Sequence, residues 1–176
     1  MFKKLIIILL GVMCVSMVKP VKKASASSSK FITIETSQGK VVIETLPKLA
    51  PNHVKRIKQL VKDGFYDGII FHRVIKGFMA QTGDPDGVGT GGSGKNLKAE
   101  FSDYEYKYGT VGMARSMSPD SGDSQFFICF DGCSHLTGQY TVWGQVVLGM
   151  DVVEKLEIGE PPSNPDKMVS VRLGKK

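Results

Sequence analysis

The sequence predicts a mainly β protein, an antiparallel barrel with two helices, on three observations. Runs rich in β-branched and aromatic residues outnumber helical stretches along the chain. Most connections between those runs are too short for parallel crossovers. Twenty glycines in 176 residues supply the tight turns an antiparallel sheet needs. Closing such a sheet into a barrel would remove its exposed edges. The length suits one domain with a full core, and 41% apolar with 23% charged residues is ordinary for a globular chain.

The first 26 residues read as a secretory signal. Lys3 and Lys4 precede a 14-residue uncharged stretch, Leu5 to Val18, and Ala24-Ser25-Ala26 supplies a small-x-small cleavage site. That stretch is short for a membrane span of roughly 20 residues. Cleavage after Ala26 would leave a single domain, residues 27–176, exported to a periplasm or the exterior, with a secretory lumen also open. An uncleaved anchor is the alternative, and a lipoprotein reading on Cys14 is opposed by the bulky Met13. The leader carries five lysines and no acidic residue, so the net charge of +6 falls to +1 without it. The basic pI belongs to the leader, which argues against a nucleic-acid partner.

Lys30 to Thr36 and Lys40 to Leu46 flank Ser37-Gln38-Gly39 and read as an opening hairpin. Pro51 begins a helix to about Asp63, stopped by Gly64, with Val54, Ile57, Leu60 and Val61 on one face. Phe71 to Asp84 (FHRVIKGFMAQTGD) alternates as two strands bent at Gly77, with Arg73 and Gln81 set among apolar residues. Pro85 to Lys95 is read as a flexible surface loop. Its G-x-G-x-x-G lacks the following helix of a phosphate site, and Lys95 stands where a calcium loop needs an acid. Thr110 to Ala114, Gln125 to Phe130 and Gln139 to Val147 are further strands. A short helix from Met150 to about Leu156 and a closing strand, Met168 to Leu173, complete the chain. Cys129, at the end of an apolar strand, reads as a buried small hydrophobe, although an export compartment permits a bond to Cys133. His53, His72 and His135 are scattered, so no metal or other cofactor is expected.

FHRVIKGFMAQTGD, GMARS, SQFFI and LTGQYTVWG occur in the order and near the spacing of cyclophilin-type peptidyl-prolyl isomerases, and the chain resembles that family over about Phe31 to Gly174. The resemblance implies a closed eight-stranded antiparallel barrel capped by two α-helices, acting on proline-containing polypeptides as a monomer, with no membrane attachment once mature. It implies a catalytic Arg73 and a proline pocket of Phe78, Met79, Phe127 and Leu136. Gln81 would bind substrate backbone and steady the arginine. Ala114 and Arg115 would border the peptide, the main chain of Arg115 pairing with it, and His72 would stand at the pocket edge. His135 replaces a frequent pocket tryptophan, so binding of cyclosporin is expected to be weakened. Tyr140 replaces a pocket histidine and keeps a flat ring there, and Trp143 replaces a phenylalanine in the core.

The chemistry is consistent with those residues. Rotation about an X-Pro bond crosses a barrier of about 18–20 kcal/mol because twisting removes amide resonance. The prolyl nitrogen then regains a lone pair, and an arginine can donate to it at any working pH. Accelerating this about 10⁵-fold requires roughly 7 kcal/mol. One charge-assisted hydrogen bond supplies about 1.5–3 kcal/mol, so positioning and preorganised electrostatics must supply the rest. Two rival readings exist: a hydrolase using Ser124 in Gly122-Asp123-Ser124 with His72 as base, and a non-catalytic peptide-binding module on the same fold.

Overall fold

A computed structural model of the chain describes residues 29–174; the leader lies outside them. The opening hairpin is β1 (Phe31–Thr36) and β2 (Gly39–Thr45), with Thr36 opposite Gly39 at the turn. Helix α1 spans Pro51–Lys62, and the expected apolar face is buried together with His53. No local side chain caps α1. Glu100 does so from 47 residues away, accepting the N–H groups of Asn52 at 3.1 Å and His53 at 3.0 Å, and its carboxylate also meets His53 Nδ1 at 2.6 Å. Pro51 has no N–H and Val54 already donates to the Ala50 carbonyl, so Glu100 takes both donors that the first turn leaves over.

The bent double strand forms β3 (Arg73–Ile75) and β4 (Met79–Thr82), turning at Gly77, whose φ of 73° suits a residue without Cβ. Phe71 and His72 precede the ladder rather than joining it. There follow β5 (Thr110–Met113), β6 (Phe126–Cys129), β7 (Val142–Leu148), the single-turn α2 (Met150–Val153) and β8 (Met168–Gly174).

All eight strands lie in one antiparallel sheet, in the order β3-β4-β6-β5-β7-β2-β1-β8. The expected closed barrel is not formed. The sheet curls into a half-barrel whose edges, β3 and β8, do not pair as a ladder; the outer side of β3 is met at Val74 by Gly159, from the segment before β8. Isolated bridges, Ile70 with Lys167 and Val74 with Gly159, fasten that seam.

Alternation along the strands sorts two cores. Ala80, Phe126 and Ile128 join Ile32, Ile43, Val111, Trp143 and the α1 face in the main core. Their neighbours Met79, Phe127 and Cys129 belong to a second cluster with Tyr106, Cys133, Leu136 and Val142. Cys129 is buried as expected, but it is not a free thiol: it is disulfide-bonded to Cys133. The bond joins the end of β6 to a 3₁₀ turn, Ser134–Leu136, which sequence periodicity does not reveal.

Candidate active site

The register of three strand pairs builds the site. Arg73 on β3 stands opposite Gln81 on β4, Gln81 opposite Phe127 on β6, and Phe127 opposite Gly112 on β5. Directly opposed residues share a face, so a cation, an amide, an aromatic ring and a vacancy line up across the sheet. The vacancy is necessary: a Cβ on Gly112 would come within 2.5 Å of Phe127 Cζ and closer still to the Tyr106 hydroxyl. Tyr106 stacks under Phe127 at 5.8 Å between ring centroids.

Around this row lies a hollow of ≈ 150 Å³. Phe78, Met79, Phe127 and Leu136 provide its apolar lining, Arg73 and Gln81 one polar edge, and Ala114, Arg115 and Tyr140 the other. Tyr140 meets Phe127 edge-on at 5.7 Å and carries the guanidinium of Arg115 4.4 Å above its ring. Arg115 donates to the carbonyls of Gln139 and Ser116, fixing the loop beyond β5. A larger hollow of ≈ 570 Å³ continues from Gln81, Ala114 and Arg115 past Gly89, Gly91 and Gln125. It has the greater volume, and among its lining residues Ala114 is the one apolar side chain.

Two expected residues stand outside the small pocket. His135 is exposed and stacks on Phe78 at 5.5 Å, bracing the wall from behind. His72 is buried beneath a separate hollow that it shares with Arg73, Gly87, Val88, Glu160 and Pro161, and neither ring nitrogen has a partner among the described residues. Burial lowers its pKa below the usual histidine range, the Arg73 charge adds to this, and Asp84 opposes it.

Arg73 is half-exposed. Its Nε donates to a carboxylate oxygen of Glu160 at 2.6 Å, and its Nη1 lies 3.9 Å from Met79 Sδ inside the pocket. Glu160 carries no signal in the sequence, since 87 residues separate the pair. The expectation that Gln81 steadies this arginine is not met: Gln81 Nε2 donates instead to Gln125 Oε1 at 2.9 Å. Gln125 in turn donates to the carbonyls of Gly89 and Gly91.

The loop from Pro85 to Lys95, expected to be flexible, is pinned. The Asp84 carboxylate accepts the N–H groups of Asp86, Val88 and Gly89, and Asp123 accepts those of Gly94 and Lys95. Burial would raise the pKa of Asp84, but those backbone donors hold it below the usual carboxylate range. The amides that a phosphate would need point at these two aspartates. The hydrolase reading fails on Ser124, which is buried and donates its hydroxyl to the Gly83 carbonyl at 2.7 Å.

A small pocket with apolar walls and an arginine at its edge, continuous with a longer hollow, thus lies on a curled antiparallel sheet. Residues 31–173 match the family described as cyclophilin type peptidyl-prolyl cis-trans isomerase/CLD, and the chain belongs to that family. It is 47% identical over 167 residues to a probable peptidyl-prolyl cis-trans isomerase of Brucella abortus, covering 85% of each chain. It is 40% identical to the peptidyl-prolyl cis-trans isomerase of Helicobacter pylori, covering 80% of this chain and 88% of the other. Among solved structures it resembles a cyclophilin from Hirschia baltica (TM-score 0.75, 32% identity, 82% of this chain and 74% of that one). It also resembles a cyclophilin-type isomerase of Cryptosporidium parvum determined in the presence of the dipeptide Ala-Pro (TM-score 0.78, 27% identity, 83% and 99%). The enzymatic class is therefore peptidyl-prolyl cis-trans isomerase.

Proposed function

We propose that the ≈ 150 Å³ pocket receives the prolyl ring of a polypeptide client and that Arg73 is the catalytic residue, donating from its Nη groups to the prolyl nitrogen as the amide twists. The observation that carries this reading is a half-exposed guanidinium at the edge of a hollow walled by Phe78, Met79, Phe127 and Leu136, with Nη1 turned toward Met79. Phe78, Met79, Phe127 and Leu136 hold the ring, while the peptide extends along the neighbouring groove past Ala114 and Arg115. No bond to the enzyme forms and no group need be deprotonated, so the catalysis is electrostatic and positional. His72, whose pKa burial lowers, contributes shape rather than proton transfer on this reading.

The clients on this reading are exported proteins, met as unfolded or flexible segments after the leader is removed at Ala26, and the enzyme works as a monomer. Mass spectrometry of the mature protein should find Ser27 at its N-terminus; an intact leader would overturn the cleavage. For the chemistry, isomerisation of an Ala-Pro tetrapeptide is measured with wild type and Arg73→Ala. The variant should lose at least about tenfold in kcat/KM with an unchanged melting temperature. An equally active variant refutes the role given to Arg73, and a wild type that binds the peptide without accelerating exchange favours the non-catalytic module.

A further inference from the structure

Arg73 lies on an edge strand only three residues long, with a long unbranched side chain and five donors. Free in solvent, such a side chain samples many rotamers, and catalysis by a single directed hydrogen bond requires one of them. The opposed Gln81 makes no hydrogen bond to it among the described residues: its Nε2 donates to Gln125, and the side-chain partners of Arg73 are Glu160 and Met79. Glu160 restrains it. Val74 and Gly159 exchange both backbone hydrogen bonds, at 2.8 and 3.0 Å, as an isolated antiparallel bridge. In that register the residue before Val74 and the residue after Gly159 are neighbours, which brings Glu160 beside Arg73.

The segment bearing Glu160 is itself held. Asp166 accepts the Glu157 N–H at 2.9 Å and the Ser37 hydroxyl at 2.5 Å. The Glu160 carboxylate reaches Arg73 from the hollow containing His72 and Val88, while the Nη1 side of the guanidinium faces the proline pocket. With Nε–H taken, the planar fork can present only its Nη groups to substrate.

We propose that Glu160 is the positioning residue of the catalytic arginine, fixing the guanidinium through Nε so that the Nη donors meet the twisting amide. This rests on the role given to Arg73, and the experiment separates the two. Glu160→Ala, Glu160→Gln and Arg73→Ala are compared with wild type for kcat, KM, melting temperature and the Arg73 Nε–H signal in ¹H–¹⁵N spectra. In Glu160→Ala, kcat should fall about three- to tenfold while KM stays within about twofold, the melting temperature is unchanged, and the Nε–H signal loses its protection from solvent exchange. Glu160→Gln, whose side-chain carbonyl still accepts from Nε–H, should recover about half of the lost kcat or more. Full kcat in Glu160→Ala alongside an inactive Arg73→Ala overturns the positioning role alone. A loss confined to KM or to melting temperature overturns it too, as does an Nε–H signal indifferent to Glu160. An active Arg73→Ala removes the premise as well.

Discussion

Gly112 offers the sharpest test of how the pocket floor is built. It sits on β5 opposite Phe127, and an added methyl would stand 2.5 Å from Phe127 Cζ and nearer to the Tyr106 hydroxyl. Carbon–carbon contact is comfortable at about 3.5 Å, so the Phe127 ring must move by about 1 Å. Its surroundings resist. Phe127 is stacked on Tyr106 below and met edge-on by Tyr140, in a cluster closed by Met79 and Leu136. The remaining escape is into the ≈ 150 Å³ pocket. Overpacking of this kind costs about 1–3 kcal/mol, at about 2–4 °C of melting temperature per kcal/mol in a domain of this size. The activity should suffer more, because misplacing a binding surface by about 1 Å can cost about a hundredfold. Gly112→Ala should therefore melt several degrees lower and lose at least about tenfold in kcat/KM. Tyr106→Phe removes a buried hydroxyl that has no partner among the described residues, so by itself it should be neutral or slightly stabilising. Combined with Gly112→Ala it should restore part of the loss, the clash with Phe127 remaining. The assays are thermal denaturation and tetrapeptide isomerisation on all four combinations. A Gly112→Ala variant that melts and turns over like wild type would refute the account of the floor.

The Cys129–Cys133 bond closes a loop of four-residue separation, so replacing both by alanine should cost only about 2 kcal/mol by loop entropy; an unchanged denaturation midpoint would show the bond to be idle. Acid should unfold the protein in two stages. His72, lowered by burial in the fold, gains its proton more readily when unfolded, so stability declines as pH drops below about 6.5. Asp84, Glu100 and Asp166 are each raised by burial but held low on balance by hydrogen bonds, so their stabilisation is full at neutral pH and is lost as pH falls through and below about 4. Glu100→Gln should flatten the second stage, and a curve identical to wild type would sink that assignment. His135 stacks on Phe78 at the pocket wall, so His135→Trp should tighten cyclosporin binding in a calorimetric titration; equal affinity would remove the reason given for weak binding.

Much of the fold was legible because strands and helices announce themselves through local periodicity. The α1 face, the Gly77 bend and the strand from Gln125 to Phe130 needed nothing beyond neighbouring residues. The residues of the small pocket were legible through the resemblance, since several short motifs share one register. The helix cap supplied by Glu100 was not, being an acceptor 47 residues from the donor it satisfies. Nor was the barrel's failure to close, since the outer side of β3 is met by Gly159 from a segment outside the strands.

What the sequence determined by itself was the set of strands and the identity of the polar residues among the apolar ones, because side-chain spacing acts within a few residues of the chain. What tertiary structure decided was which partner each polar group took. Arg73 lies beside Gln81 in the ladder yet pairs with Glu160, and Gln81 turns to Gln125. That choice follows from an edge bridge at Val74 and Gly159, a contact between segments with no common periodicity, so only the folded chain could make it.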